Sequence, residues 1–146
     1  MPAKRFEYLP HTADVAFVAY GGNFGKALES AAVALLGLML DVRKIRSATG
    51  RGTAIAIEDS ASSREDLVWY LLQDILSRID AEKLNAYDFR IDGIKESNGM
   101  ISAAGRLLCK DITGDFALLS VKAITPQGLT ILPSKRGYSI NVVADV

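Results

Sequence analysis

Hydrophobic residues recur along this chain with two different periods, and the change of period divides it into an early helical part and a late strand part. From about Phe24 to Leu40, residues Phe24, Ala27, Leu28, Ala31, Leu35, Leu38 and Met39 fall at helical spacing. The many alanines in that stretch predict close approach to a sheet, and Asn23 is placed to accept from the free amides of the first turn. Asp41-Val42 is expected to end this helix. A second helix is predicted from near Ser62, whose Ser-x-x-Glu pattern through Glu65 reads as a capping box, to about Lys83. Leu67, Leu71, Ile75 and Ile79 form one row on it and Val68, Leu72 and Leu76 the next, giving a broad buried stripe with Asp74 at its edge.

Strand signals surround these helices. Val15 to Tyr20 is short, apolar and rich in β-formers, as an interior strand would be, and Gly21-Gly22-Asn23 breaks it. Ile55 and Ile57 share one face of a strand over Thr53 to Glu58. Tyr87, Phe89 and Ile91 alternate with Asp88, Arg90 and Asp92, the pattern of a strand wet on one side. Asn98-Gly99 predicts a hairpin into Met100 to Leu108. Further strands are expected over Asp115 to Thr125, Leu129 to Leu132 and Tyr138 to Ala144, separated by turns at Pro126-Gln127-Gly128 and Ser134 to Gly137. Helices early and hairpins late predict an α+β fold: a single two-layer domain over 1–146, with two helices packed on one face of a mainly antiparallel sheet.

Composition narrows the function. With 146 residues, 49% of them hydrophobic, the chain can build a real core. Its 17 basic and 17 acidic residues cancel, which weighs against tight direct binding to a nucleic-acid backbone. Cys109 is alone between apolar neighbours and reads as a small buried hydrophobe; one Cys and one His do not make a zinc set. No signal-peptide core follows Met1, and the apolar stretch from Ala31 to Leu40 is too short to cross a bilayer, so a soluble, cytoplasmic protein is expected.

The unusual chemistry lies near the two ends. Glu7-Tyr8-Leu9-Pro10-His11-Thr12-Ala13-Asp14 places the only histidine, a proline and an acid just before an apolar strand. Asp145 is followed by Val146, with its carboxylate. His11 and Asp14 suit either an acid–base pair or a hydrogen-bonded turn. Asp14, Asp145 and a terminal carboxylate offer oxygen ligands for Ca²⁺ or Mg²⁺, or they are solvated surface acids. Lys122, within Val121-Lys122-Ala123-Ile124-Thr125, suits either the wet face of a strand or a fixed charge for a phosphate or a partner's carboxylate. Gly21-Gly22-Asn23-Phe24-Gly25 lacks the Lys-Ser/Thr continuation of a phosphate loop and reads as a turn with a helix cap. No nucleophile elbow or dinucleotide fingerprint is present.

Over nearly its whole length the chain resembles the archease family. The resemblance is carried by Glu7-Tyr8-Leu9 with His11-Thr12-Ala13-Asp14, by Ala19-Tyr20-Gly21, and by the alanine-rich helix from Ala27 closing on Met39-Leu40-Asp41. It is also carried by Lys122-Ala123-Ile124-Thr125 and by the last strand ending in Asp145-Val146. The chain departs from the family pattern at Pro126, where a tyrosine is usual, and at Gln73-Asp74, where two acids are usual.

This resemblance implies a non-catalytic protein cofactor of the RtcB-type tRNA-splicing RNA ligase. Such a cofactor promotes guanylylation of the ligase and multiple turnover, and it modulates nucleotide use. The resemblance implies a divalent cation, Ca²⁺ with Mg²⁺ or Mn²⁺ as alternatives, held by Asp14, Asp145 and an oxygen of Val146. Lys122, His11, Asp41 and Asp74 are then the residues expected to activate the partner. Contact with tRNA and GTP is expected only through the ligase, and none with a membrane. Competing expectations are a general chaperone of nucleic-acid-processing proteins, a metal-dependent hydrolase working between the two aspartates, and an RNA-binding module, which the balanced charge disfavours.

Overall fold

A computed structural model describes residues 4–10 and 14–146. The chain runs β1 (Phe6–Leu9), β2 (Val15–Gly21), α1 (Phe24–Met39), α2 (Val42–Ser47), β3 (Arg51–Ala61), α3 (Arg64–Glu82), β4 (Ala86–Ser97), β5 (Met100–Asp111), β6 (Ala123–Ser134) and β7 (Gly137–Asp145). The strands form two sheets, not the one expected. The first is four-stranded in the order β1-β2-β7-β6, and the second is three-stranded in the order β3-β5-β4. Every pairing is antiparallel. The mixed helix–strand character and the antiparallel pairing match expectation; the single sheet and the count of two helices do not.

Two sheets are sustained because each long helix is apolar on more than one side. α1 packs on β2 and β7 of the first sheet and on β4 of the second, while α3 packs on β6 of the first and on β3 and β5 of the second. α1 accordingly buries Ala27, Leu28, Ala31, Ala32, Leu35 and Leu36 completely, wider than a single-face stripe. Its alanines let two sheets approach one helix. The helix even buries Glu29, whose Oε2 accepts from the Ile91 amide at 2.8 Å where β4 bulges between Ile91 and Gly93. That bond satisfies a ladder donor that the bulge sets free.

Local signals explain the boundaries. Asn23 caps α1 through a 2.8 Å bond from the Lys26 amide. α3 begins one residue later than the capping pattern predicts. Ser63, not Ser62, accepts from the Asp66 amide at 3.1 Å. Asp41 does end α1's run, but it also caps the unexpected short helix α2 by accepting from Lys44 at 3.2 Å. Asn98 and Gly99 both take positive φ, 53° and 75°, as the tight hairpin predicted for them requires. The expected strand over Asp115 to Thr125 begins only at Ala123. Before it, part of the run is hydrogen-bonded to the end of α1, with Leu118 donating to the Met39 carbonyl and Phe116 accepting from Asp41. Pro126-Gln127-Gly128 does not divide two strands either. It forms an irregularity inside β6, between the pairs Thr125↔Val143 and Thr130↔Asn141, on an edge strand that tolerates proline.

Two glycines lock one end of the first sheet. A Cβ on Gly21 would collide with the Ala27 amide nitrogen, and one on Gly137, at φ +132°, would collide with the Gly21 carbonyl and with Gly22. The β6–β7 hairpin, the β2–α1 turn and the start of α1 are therefore stacked backbone to backbone. Gly21→Ala should lower the unfolding free energy by about 2–3 kcal/mol, the scale of overpacking against an unyielding neighbour. Gly22→Ala, whose Cβ would meet nothing within 4 Å, should change it by less than about 0.5 kcal/mol. Urea unfolding of the two variants measures the difference.

Candidate functional site at the strand ends

The ladder between β2 and β7 runs from Gly21↔Tyr138 to Val15↔Ala144. Continued one step past that last pair, the register leads to Asp14 on one strand and Asp145 on the other; Asp14 itself lies in a bend just outside the ladder. On the other side of β7, Ala123 pairs with Asp145, and the Lys122 amide donates to the Asp145 carbonyl at 2.7 Å. The order β2-β7-β6 sets Asp145 on the middle strand, with Lys122-Ala123 on one flank and the start of β2, which Asp14 precedes, on the other. Neighbouring strands lie about 4.8 Å apart, so segments distant in sequence come to one end of one sheet.

Burial tells which face they occupy. Ile140, Val142 and Ala144 point into the core, so Asp145 belongs to the opposite, open face and is exposed. Asp14 is half-buried and Lys122 exposed. Like charges directly opposite across an antiparallel pair repel. A cation between Asp14 and Asp145 would remove that repulsion, and carboxylate and carbonyl oxygens are the donors that hard cations take. Val146, half-buried and packed against the core, brings one more main-chain oxygen to the same edge. Among the described residues no group of three or more His, Cys, Asp and Glu side chains comes together. Any cation here would be held by two carboxylates and main-chain oxygen, with coordination positions left open.

The other residues picked out from sequence disperse. His11 lies outside the described residues. Asp41 sits at the start of α2 as its helix cap. Asp74 lies on α3, 3.8 Å from the Arg78 guanidinium, and faces Asp59 of β3. Glu7 and Tyr8 have structural roles: the Tyr20 hydroxyl donates to Glu7 at 3.3 Å, and the Tyr8 hydroxyl donates to the Ala34 carbonyl of α1 at 3.0 Å. Cys109 is buried and its thiol is pushed up to about 11 by that burial, in line with a packing role.

Sequence reasoning missed how Lys122 is held. The indole N–H of Trp69 donates to the Ile124 carbonyl at 2.7 Å, and the Ile124 amide donates to Gln73 Oε1. Two side chains of α3 thereby satisfy a residue of the edge strand two positions after Lys122. An acid at 73 would accept the same bond, so glutamine keeps the contact and drops the charge. The only sequence signal was a tryptophan at the border of an otherwise aliphatic stripe.

Asp59 was also missed. Its Oδ2 is buried and has no hydrogen-bond donor among the described residues. Burial first, then the facing Asp74 carboxylate, raise its pKa from the usual carboxylate range to about 7, against a smaller opposing pull from Arg78. A proton held between the two carboxyls would supply the missing bond.

A model of the Archease protein family (MTH1598/TM1083) matches residues 6–146. A protein archease of Methanosarcina barkeri is 32% identical over 145 residues, covering 98% of this chain and 97% of the relative. The solution structure of protein 1598 of Methanobacterium thermoautotrophicum superposes with a TM-score of 0.81 at 24% identity, over 97% of this chain and 99% of that one. The crystal structure of an archease from Thermotoga maritima, described as a possible chaperone, gives 0.59 at 18% identity, over 94% of each chain. Among the described residues no helix is long and apolar enough to cross a membrane.

The raised Asp59 pKa has a definite sign for stability. The folded state keeps the proton to higher pH than the unfolded chain does. The contribution of this group is therefore full below pH about 4 and is lost as pH rises to about 7. Asp59→Asn should flatten that fall: between pH 5 and 7 the wild-type chain should lose more stability against urea than the variant. Equal slopes would contradict the shared proton.

Proposed function

The chain belongs to the archease family, whose members are non-catalytic cofactors, and from that premise we propose that it activates an RtcB-type tRNA-splicing RNA ligase. The activation consists of promoting guanylylation of the ligase, which charges an active-site histidine with GMP, and so of supporting repeated turnover and modulating nucleotide use. The observation that supports this reading is the register of β2, β7 and β6, whose last pairs, Val15↔Ala144 and Ala123↔Asp145, adjoin Asp14, Asp145 and Lys122 in the chain.

That edge has the chemistry of a donated cation site. Asp14, Asp145 and the main-chain oxygen of Val146 would hold a divalent ion, Ca²⁺ by the oxygen-only donor set, with Mg²⁺ and Mn²⁺ accepted by the same donors. Ca²⁺ takes about six to eight oxygens, so the remaining positions are left for water or for groups of the ligase. When bound, the ion supplies positive charge that can help place the phosphates of the ligase's nucleotide. The chain's own residues do the rest. Asp14 and Asp145 present acceptors from a rigid ladder. Lys122, fixed through the Asp145 carbonyl and through the hold of Trp69 and Gln73 on Ile124, brings a positive charge beside them. tRNA and GTP meet the ligase and not this edge directly. Asp41 and Asp74, engaged as a helix cap and in a carboxyl pair, support the scaffold in this reading.

Single-turnover guanylylation of a cognate ligase tests the proposal. Asp14→Ala and Asp145→Ala should each reduce the stimulation by at least about tenfold, the lower end of what disturbing a metal site costs. Lys122→Ala should reduce it with no loss of thermal stability, since its side chain is exposed. Full stimulation by a folded Asp14 or Asp145 variant would remove the cation from the mechanism.

A further inference from the structure

At the opposite end of β2 from Asp14, about 20 Å away by strand rise, an open cleft of about 830 Å³ lies against the Gly21-Gly22 turn. Five cationic side chains line it: Lys4, Arg5, Lys26, Arg90 and Arg136. Only two carboxylates, Glu29 and Asp88, stand in the same wall, and both are largely buried. Their buried acids orient the cations rather than cancel the cleft. Glu29 spends one oxygen on the Ile91 amide and holds Lys26 at 3.7 Å with the other. Asp88 accepts from the Phe89 amide and holds Arg90 at 3.1 Å. Lys4 is drawn to Glu7 at 3.6 Å, in an exposed pair. Arg5 and Arg136 have no carboxylate within 4 Å among the described residues.

The backbone around these two arginines is fixed. The Arg5 carbonyl accepts from the Tyr20 amide at 2.7 Å, continuing the β1–β2 ladder. Arg136 sits in the two-residue turn between Ser134 and Gly137, and Gly137 is wedged against Gly21 and Gly22. Two arginines that line one cleft are thus carried on different elements whose backbones pack tightly. The planar fork of arginine suits phosphate oxygens two at a time. Tyr20 and Tyr138 add aromatic surface in the same wall, and the Tyr138 hydroxyl is held by Arg64 at 3.1 Å.

We propose that this cleft binds a nucleoside di- or triphosphate directly, with Arg5 and Arg136 on its phosphates. The volume falls in the range of small-ligand sites, about 300–1,000 Å³. Three features favour a compact ligand over an RNA strand: the cations converge on one cleft, the chain carries no net charge, and a strand needs a basic groove followed over several nucleotides. The proposal is independent of the cation edge and of the ligase.

Isothermal titration of the isolated full chain, without divalent cation, tests it with GTP, ADP and pyrophosphate as probes. A labelled single-stranded RNA serves as the competing ligand. The expected result is saturable one-to-one binding of GTP and ADP, weakened about tenfold by Arg136→Glu, the scale of one charge-assisted phosphate contact. Arg5→Gln should weaken it similarly, and it carries the test if the hairpin variant fails to fold. Lys95→Glu, at an exposed position of β4 that does not line the cleft, should change nothing. Absence of saturable nucleotide binding, equal weakening by Lys95→Glu, or binding of RNA but not of mononucleotide would each overturn the proposal. None of these outcomes bears on the Asp14 and Asp145 variants, whose assay uses the ligase.

Discussion

The antiparallel ladder between β2 and β7 is the constraint on which the rest depends. Its register is set by alternation: Phe17 and Ala19 of β2 and Ile140 and Val142 of β7 must all face the same core. A slip of one residue would turn one of the two sets outward. Because the register cannot slip, the positions just past the last pair are fixed as well. In the proposed site, Asp14 and Asp145 would be brought together by packing in the middle of the sheet, not through any contact of their own. At the other end the same ladder fixes Gly21 against Tyr138, and with them the floor of the basic cleft.

Two helices shared between two sheets give this ladder its rigidity. α1 covers β2 and β7 from one side while reaching β4, and α3 closes the exposed edge of β6 through Trp69 and Gln73. The acidic edge and the basic cleft therefore belong to one body of structure with opposite charge at its two ends. A chain with no net charge can in this way offer distinct surfaces to a cation and to an anion.

Much of this was legible in the sequence. Helical periodicity located α1 and α3 to within a few residues, and Asn98-Gly99 located the β4–β5 hairpin. β1 was hidden because Phe6 to Leu9 is too short to show alternation, and it works by sending Tyr8 to α1. The two-sheet arrangement was hidden because periodicity reports that a helix has a buried side, not how many sheets lie on it. The irregular run before Ala123 looked like a strand because many of its residues are apolar, but it bonds to the end of α1 through Phe116 and Leu118 instead of to a neighbouring strand. At the candidate site, residue types and family resemblance pointed to Asp14, Asp145, Val146 and Lys122, but no spacing could relate them; strand order sets the segments that carry them side by side. Asp59 and the Arg5–Arg136 cleft were invisible for the same reason, since each joins elements far apart in the chain.

Paramagnetic relaxation by Mn²⁺ tests the central claim most directly. With substoichiometric Mn²⁺ added to the isotope-labelled chain, the amide signals of Asp14, Val15, Lys122, Ala123, Asp145 and Val146 should broaden together. Those of Gly21, Gly22 and Arg136, at the far end of the same strands, should stay sharp. Broadening that reaches Asp14 without Asp145, or that spreads over other acids with no preference for this edge, would contradict a cation site built by the β2–β7 register.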